Sequence, residues 1–360
     1  MKAAVCYEFG KPLVVEEVDI DTPRAGEVKV HLAATAICHS DINVIKGLAG
    51  GRLPIVPGHE SAGYIEEVGS NVTSVKQGDS VVVSVLSSCH RCYFCISGYP
   101  HLCENSPLPG PENRLRNKRG QTLTQGGRKV AGFAEYTIVD ESQIVRISKD
   151  FPMDKASLLA CGVITGFGAV VNRAQVKPLS TVVVIGCGGV GLNSVQGAVI
   201  SGAYPIIAID ISDNKLEAAR IFGATHTVRA DDKDAASIVR QLTYGRGADY
   251  VFVTVGSTAA IEQGFSISGP RGMTVVVGLP RTGSTITLPA FFPGERVITS
   301  SSMGTTRLKI DVPILIDLYK TGRLKLDELI TNHYSLEQIN EAIECSERGE
   351  AIRNVIMFPA

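Results

Sequence analysis

The sequence predicts an α/β protein in which a β-rich, barrel-like domain precedes a doubly wound parallel sheet. Three observations carry that reading. At 360 residues the chain exceeds what one hydrophobic core usually serves, so two domains are expected. Up to about residue 150, short alternating or apolar segments are broken by turns such as Pro57-Gly58, Gly69-Ser70-Asn71 and Gly78-Asp79, the texture of an all-β domain. From about residue 163, apolar runs rich in Val and Ile alternate with helical stretches, as buried parallel strands and their crossover helices do.

In chain order, residues 27–33 and 80–85 read as strands of the first domain. Residues 107–127, rich in Pro, Gly, Asn and Arg, read as a surface excursion. Arg114, Arg116, Lys118 and Arg119 are then charges on a solvated loop rather than a nucleic-acid patch. Residues 181–185, 205–209, 250–255 and 273–277 read as the parallel strands. Residues 286–288 read as an edge strand able to continue the sheet into a second subunit, which predicts a homodimer, with a homotetramer as the alternative. Helices are expected at 311–321 and 336–348, and a closing strand at 354–358. The domains so defined span 1–162, 163–302 and a return segment 303–360, with a cysteine lobe at about 87–106.

Composition removes several function classes. With 35 basic and 36 acidic residues and a net charge of -1, the chain has no overall field to attract nucleic acid or anionic lipid. The apolar runs are strand-sized, and the opening Met-Lys-Ala-Ala-Val-Cys has no long apolar core, so neither a membrane span nor an export signal is expected and the location is cytoplasmic. Nine cysteines, an odd count, fit reduced thiols and metal ligands better than disulfides.

Cys89, Cys92, Cys95 and Cys103 are close enough in sequence to surround one tetrahedral cation. Four thiolates leave zinc no open position, so this site braces a lobe and does no chemistry. Further on, Gly186-Cys187-Gly188-Gly189-Val190-Gly191 follows one expected strand and opens a helix. In such a loop Gly186 permits a tight turn, Gly188 lets the backbone approach a pyrophosphate, and Gly191 lets the helix pack closely on the sheet. Asp210 ends the next apolar strand, placed to accept hydrogen bonds from ribose hydroxyls and to repel a 2'-phosphate. NAD is therefore expected rather than NADP, with an ordinary helix-capping acid as the plainer account of Asp210.

A second, open metal site needs soft or imidazole ligands elsewhere. Cys38 in Cys38-His39-Ser40-Asp41, His59 in Gly58-His59-Glu60 and Cys161 in Ala160-Cys161-Gly162 stand out, each unremarked alone. Together with the cysteine lobe, the segment Cys161 to Gly168, the glycine loop and Ile352-Arg353, they make the whole chain resemble the zinc-dependent alcohol dehydrogenases of the medium-chain dehydrogenase/reductase superfamily. That resemblance implies a GroES-like catalytic domain, a Rossmann coenzyme domain and two zinc ions per chain. It implies Cys38, His59 and Cys161 as catalytic zinc ligands, Asp41 behind the histidine, Glu60 behind the metal, and Ser40 as a hydroxyl relay. Where many relatives end the relay on histidine, this chain has Asn43, which cannot hold a proton at neutral pH. Further cofactor contacts implied are His39, Thr165, Gly189, Val190, Lys215, Val277 and Arg353.

The activity implied is hydride transfer between a small alcohol, or in reverse an aldehyde or ketone, and NAD, with zinc polarising the substrate oxygen. A polyol dehydrogenase is the near alternative, set apart by Cys161, where those enzymes typically carry a carboxylate. A glutathione-adduct formaldehyde dehydrogenase is disfavoured because Ala49 and Pro107 stand where charged residues would be needed, unless Arg114 or Arg116 reaches inward. A zinc- and NAD-binding protein without turnover is the distant alternative. Val85 implies room for an alcohol wider than ethanol, and Leu86, Phe133 and Met303 are candidate apolar lining or core.

Overall fold

The computed structural model describes residues 1–106 and 114–359. The chain forms two units, Met1–Cys161 with Arg307–Thr321 and Leu326–Ala360, and Gly162–Thr306 with Gly322–Lys325. Residues 303–306, expected to begin the return segment, thus pack with the second unit.

The first unit is built on two sheets. One runs in the order Ile144–Ile147, Ser80–Val83, Glu60–Val68, Glu27–Ala36, Arg353–Met357 and Ile330–Tyr334, with Tyr136–Asp140 also paired to Glu27–Ala36. Its central strand, Glu27–Ala36, alternates buried and half-buried positions over much of its length, the period-two pattern that holds a strand on a core. Arg353–Met357 pairs antiparallel with it, so the far end of the chain is built into the middle of this sheet. The second sheet runs Lys2–Val5, Val14–Ile20, Leu115–Asn117, Thr122–Gln125 and Ile55–Val56, around a core that includes Val5, Val18, Leu115 and Leu123.

That second sheet corrects one expectation. Much of the stretch expected as a surface excursion is structural: Leu115–Asn117 and Thr122–Gln125 form an antiparallel pair, and Ile20 faces Leu115 across the next ladder. Arg114, expected in solvent, is buried, its Nη2 2.6 and 2.7 Å from the two oxygens of Glu27. Arg116 pairs with Asp21 and Lys118 with Asp19 at the surface. Pro107 lies outside the described residues.

The second unit is the doubly wound sheet. Six parallel strands lie in the order His226–Arg229, Ile206–Asp210, Val182–Ile185, Ala248–Val253, Ser268–Val276 and Val297–Ser300. The order reverses between Val182–Ile185 and Ala248–Val253, the switch point at which a Rossmann sheet opens a crevice for a dinucleotide. Val182–Ile185 is buried at every position, which is why it reads as an unbroken apolar run. Residues 286–288 form no strand; the edge of the sheet is Val297–Ser300. Among the described residues no helix is long and apolar enough to cross a membrane.

Candidate functional site

The helix His39–Ile45 begins at Cys38, and its first turn is closed by Asp41, whose Oδ2 accepts the Cys38 N–H at 3.2 Å. The other Asp41 oxygen accepts the Gly58 N–H at 3.2 Å and lies 2.7 Å from His59 Nδ1. A carboxylate only accepts, so Nδ1 donates and the Nε2 lone pair is left for something else. One buried acid therefore sets the start of the helix, the approach of residue 58 and the orientation of an imidazole. Ser40 Oγ stands 3.2 Å from Cys38 Sγ and 3.4 Å from His59 Nε2.

The Cys38 and Cys161 sulfurs, a ring nitrogen of His59 and a Glu60 oxygen all lie within 4.8 Å of one another, and all four residues are buried. Their electrostatics conflict. A hydrogen bond from Cys161 holds the Cys38 thiol well below its ordinary range against burial, with His59 assisting, while that same bond and burial push Cys161 well above it. Burial raises the Glu60 carboxyl to about 8, partly opposed by Arg353, whose Nη1 lies 3.5 Å from Glu60 Oε1. Neither Glu60 oxygen has a hydrogen-bond partner. Two crowded sulfurs, an imidazole and a buried carboxyl without a hydrogen-bond partner are a donor set that a divalent zinc ion satisfies.

The other sequence-predicted residues fall as follows. His39 is exposed at the first position of its helix, and Asn43 is half-buried one turn on. Arg353, expected at cofactor phosphates, is buried against Glu60 and donates to the Ile37 carbonyl at 3.3 Å.

Cys89, Cys92, Cys95 and Cys103 also converge within 4.8 Å. Cys92 caps the short helix Tyr93–Ile96, and the Cys89 N–H donates to Cys103 Sγ at 3.2 Å. Backbone N–H groups of Cys95 and Glu104 hold the Cys92 thiol down at about 6, whereas burial and the neighbouring sulfurs push Cys95 up to about 12. The Arg91 N–H likewise lowers Cys89, and burial raises Cys103, so two thiolates form readily and the other two resist. A cation removes that conflict, and four sulfurs fill a tetrahedral zinc shell.

In the second unit the loop after Val182–Ile185 turns at Gly186, φ +92°, where a side chain would be strained. A β-carbon on Gly188 would meet nothing within 4 Å, whereas one on Gly191 would lie 1.8 Å from the Gly186 carbonyl oxygen. The backbone is thus bare at the first position and clamped at the second. The helix Gly189–Ile200 starts here, its unpaired N–H groups available to an anion. Asp210 ends the neighbouring strand, and its two oxygens accept the Cys187 N–H at 2.7 Å and the Ser212 N–H at 2.9 Å. Lys215 and Val190 are half-buried and Val277 buried. Thr165 Oγ1 is 3.8 Å from the sulfur of Met303.

Thr254 was not anticipated: its hydroxyl donates to the Gly186 carbonyl at 2.6 Å, fastening the glycine loop. The signal was a lone hydroxyl residue near the end of an apolar run. Of the candidate lining residues, Phe133 is fully buried and Val85 nearly so, while Leu86 is half-buried. Phe133 is part of the buried core, and its backbone bonds to Pro57 and Ala4. Arg114 is committed to Glu27 and Arg116 to Asp21, and Ala49 is exposed.

Residues 24–149 match the family described as alcohol dehydrogenase GroES-like domain, and residues 189–321 that described as zinc-binding dehydrogenase. An NDMA-dependent alcohol dehydrogenase from Amycolatopsis methanolica is 37% identical over 373 aligned positions, covering 100% of this chain and 99% of the relative. The solved structure of an alcohol dehydrogenase zinc-binding domain protein from Burkholderia ambifaria superimposes with a TM-score of 0.95 at 33% identity, over 100% of this chain and 99% of that one. A benzyl alcohol dehydrogenase from Acinetobacter calcoaceticus gives 0.92 at 31%, over 99% of each chain.

Proposed function

The chain belongs to the zinc-dependent alcohol dehydrogenases of the medium-chain dehydrogenase/reductase superfamily, and on that premise we propose that Cys38, His59 and Cys161 hold its catalytic zinc and that NAD is its hydride acceptor. The convergence of two thiols, an imidazole oriented by Asp41 and the Glu60 carboxyl, which has no hydrogen-bond partner, within 4.8 Å is the observation that supports this most. Cys89, Cys92, Cys95 and Cys103 hold a second, bracing zinc.

Bound zinc supplies Lewis acidity to an alcohol oxygen, and bound nicotinamide the hydride acceptor. The chain's own residues do the rest. Asp41 keeps the His59 Nε2 lone pair pointed at the ligand cluster. Ser40 Oγ, beside Cys38 and His59, takes the proton of the substrate hydroxyl. Asn43 cannot receive it, so the proton passes from Ser40 to water or another group. Arg353 balances the charge of Glu60 behind the sulfurs. Gly188, the start of the helix Gly189–Ile200 and Asp210 hold the pyrophosphate and adenosine ribose of NAD, with Thr165, Gly186, Gly189, Val190, Gly191, Lys215 and Val277 completing its contacts within the second unit.

Val85 and the likeness to a benzyl alcohol dehydrogenase support alcohols wider than ethanol, whereas Cys161 weighs against a polyol substrate. An open edge at Val297–Ser300 supports a homodimer, and the sequence supports a cytoplasmic location. The test is to count zinc per chain and to follow oxidation of benzyl alcohol, ethanol and sorbitol with NAD, NADP or NDMA as the acceptor. Turnover of benzyl alcohol with NAD, lost in Cys38→Ser together with one zinc while the other remains in place, supports the reading. NDMA serving where added NAD does not would overturn free NAD as the acceptor.

A further inference from the structure

Ser84 follows the strand Ser80–Val83 and is completely buried. Its hydroxyl has two partners: it donates to the Ala160 carbonyl at 2.7 Å and accepts the Leu86 N–H at 3.4 Å. Its backbone is held on both sides by Gln143, also fully buried: Ser84 N–H donates to the Gln143 carbonyl at 2.9 Å, and Gln143 Nε2 donates to the Ser84 carbonyl at 3.1 Å. The serine is thus fixed to the sheet before it reaches for residue 160.

The Ala160 carbonyl shares a rigid peptide plane with the nitrogen and α-carbon of Cys161. Pinning that oxygen fixes where the Cys161 α-carbon stands. Cys161 follows a turn after the helix Met153–Leu158, a turn that is tied back to that helix by the Ala160 N–H donating to the Ser157 carbonyl at 3.1 Å; Ser84 adds the tie from this turn to the sheet. We infer that Ser84 is the positioning residue for the Cys161 sulfur, and that through Leu86 it couples the ligand's position to the segment Val85–Leu86 beside it. This rests on Cys161 being a zinc ligand.

The residue acts through a backbone carbonyl, so its removal should loosen one metal site and leave the other alone. In Ser84→Ala the zinc released by a chelator from the Cys38, His59 and Cys161 site should bind about ten-fold or more weakly, while the zinc of the cysteine lobe is retained as in the parent. Cobalt substituted at the weakened site should show altered thiolate charge-transfer bands. Ser84→Thr, which keeps the hydroxyl, should restore both properties. Cys161→Ser is the reference: if it leaves zinc binding intact, the ligand assignment itself has failed. If Cys161→Ser weakens the site but Ser84→Ala changes neither affinity nor cobalt spectrum, or loosens both zinc ions equally, the positioning role is overturned.

Discussion

Asp41 Oδ1 and His59 Nδ1 meet at 2.7 Å, both buried, while the other oxygen of Asp41 closes the first turn of the helix that follows Cys38. The acid therefore ties one ligand segment to another before any metal arrives. Asp41→Ala should weaken zinc binding at this site by about 10–100-fold. Competition with a chromogenic chelator reads this directly, and an unchanged affinity would show that the pair only caps the helix.

Asp210 spends one interaction per oxygen on backbone N–H groups, leaving lone pairs for ribose hydroxyls. Asp210→Ala should cost about 1.5–3 kcal/mol of NADH binding, the range for a hydrogen bond to a charged group. Fluorescence titration measures it. Equal binding of NADH by parent and variant would return Asp210 to the status of a loop-organising acid.

Glu27 and Arg114 form a buried ion pair at 2.6 Å. Removing one partner strands the other charge away from water, so Glu27→Leu should destabilise the first unit by about 3–5 kcal/mol. Glu27→Leu combined with Arg114→Met should recover much of that loss. Denaturant midpoints of the two single variants and the double variant form the cycle, and simple additivity would contradict the pairing.

Asp154 carries the acid dependence of the segment leading to Cys161. Burial works to raise its pKa, but Lys155 at 2.8 Å and His333 at 3.0 Å outweigh it and hold the carboxyl below its ordinary value. A carboxyl lowered in the fold stabilises above its unfolded pKa of about 3.9, and that contribution is lost as the pH falls through the lower folded value. At pH 6 Asp154→Asn should unfold at lower denaturant than the parent, with the gap closing below about pH 4. A gap that is constant with pH would rule the charge out.

The four-cysteine cluster and the glycine loop were legible because their chemistry demands particular residue types at short spacing: four cysteines around one cation, or bare backbone before a helix. Cys38, His59 and Cys161 lie far apart in sequence and were singled out together by the resemblance; the fold brings them within 4.8 Å of one another. The rest depends on partners far along the chain. Arg114 reads as a loop charge until Glu27, 87 positions away, is brought against it. Leu115 and Leu123 are single apolar residues in polar surroundings, and only their pairing with each other, beside Val14–Ile20 in the same sheet, makes them core. Residues 286–288 carry a strand-like alternation with no neighbour to pair with, whereas the half-exposed Val297–Ser300 found one in Ser268–Val276. Arg353 is expected at phosphate on the resemblance alone, and nothing in its local sequence announces that the fold also sets it beside Glu60.

The strand Arg353–Met357 lies between Glu27–Ala36 and Ile330–Tyr334. During synthesis the Rossmann unit can close soon after residue 325 has left the ribosome, since domains fold as units. The older, amino-terminal part of the chain must wait with its sheet unfinished. The guanidinium beside Glu60 is delivered after the Rossmann unit, so a nascent chain not yet extended through residues 353–357 holds the Cys38, His59, Glu60 and Cys161 cluster without its neighbouring cation.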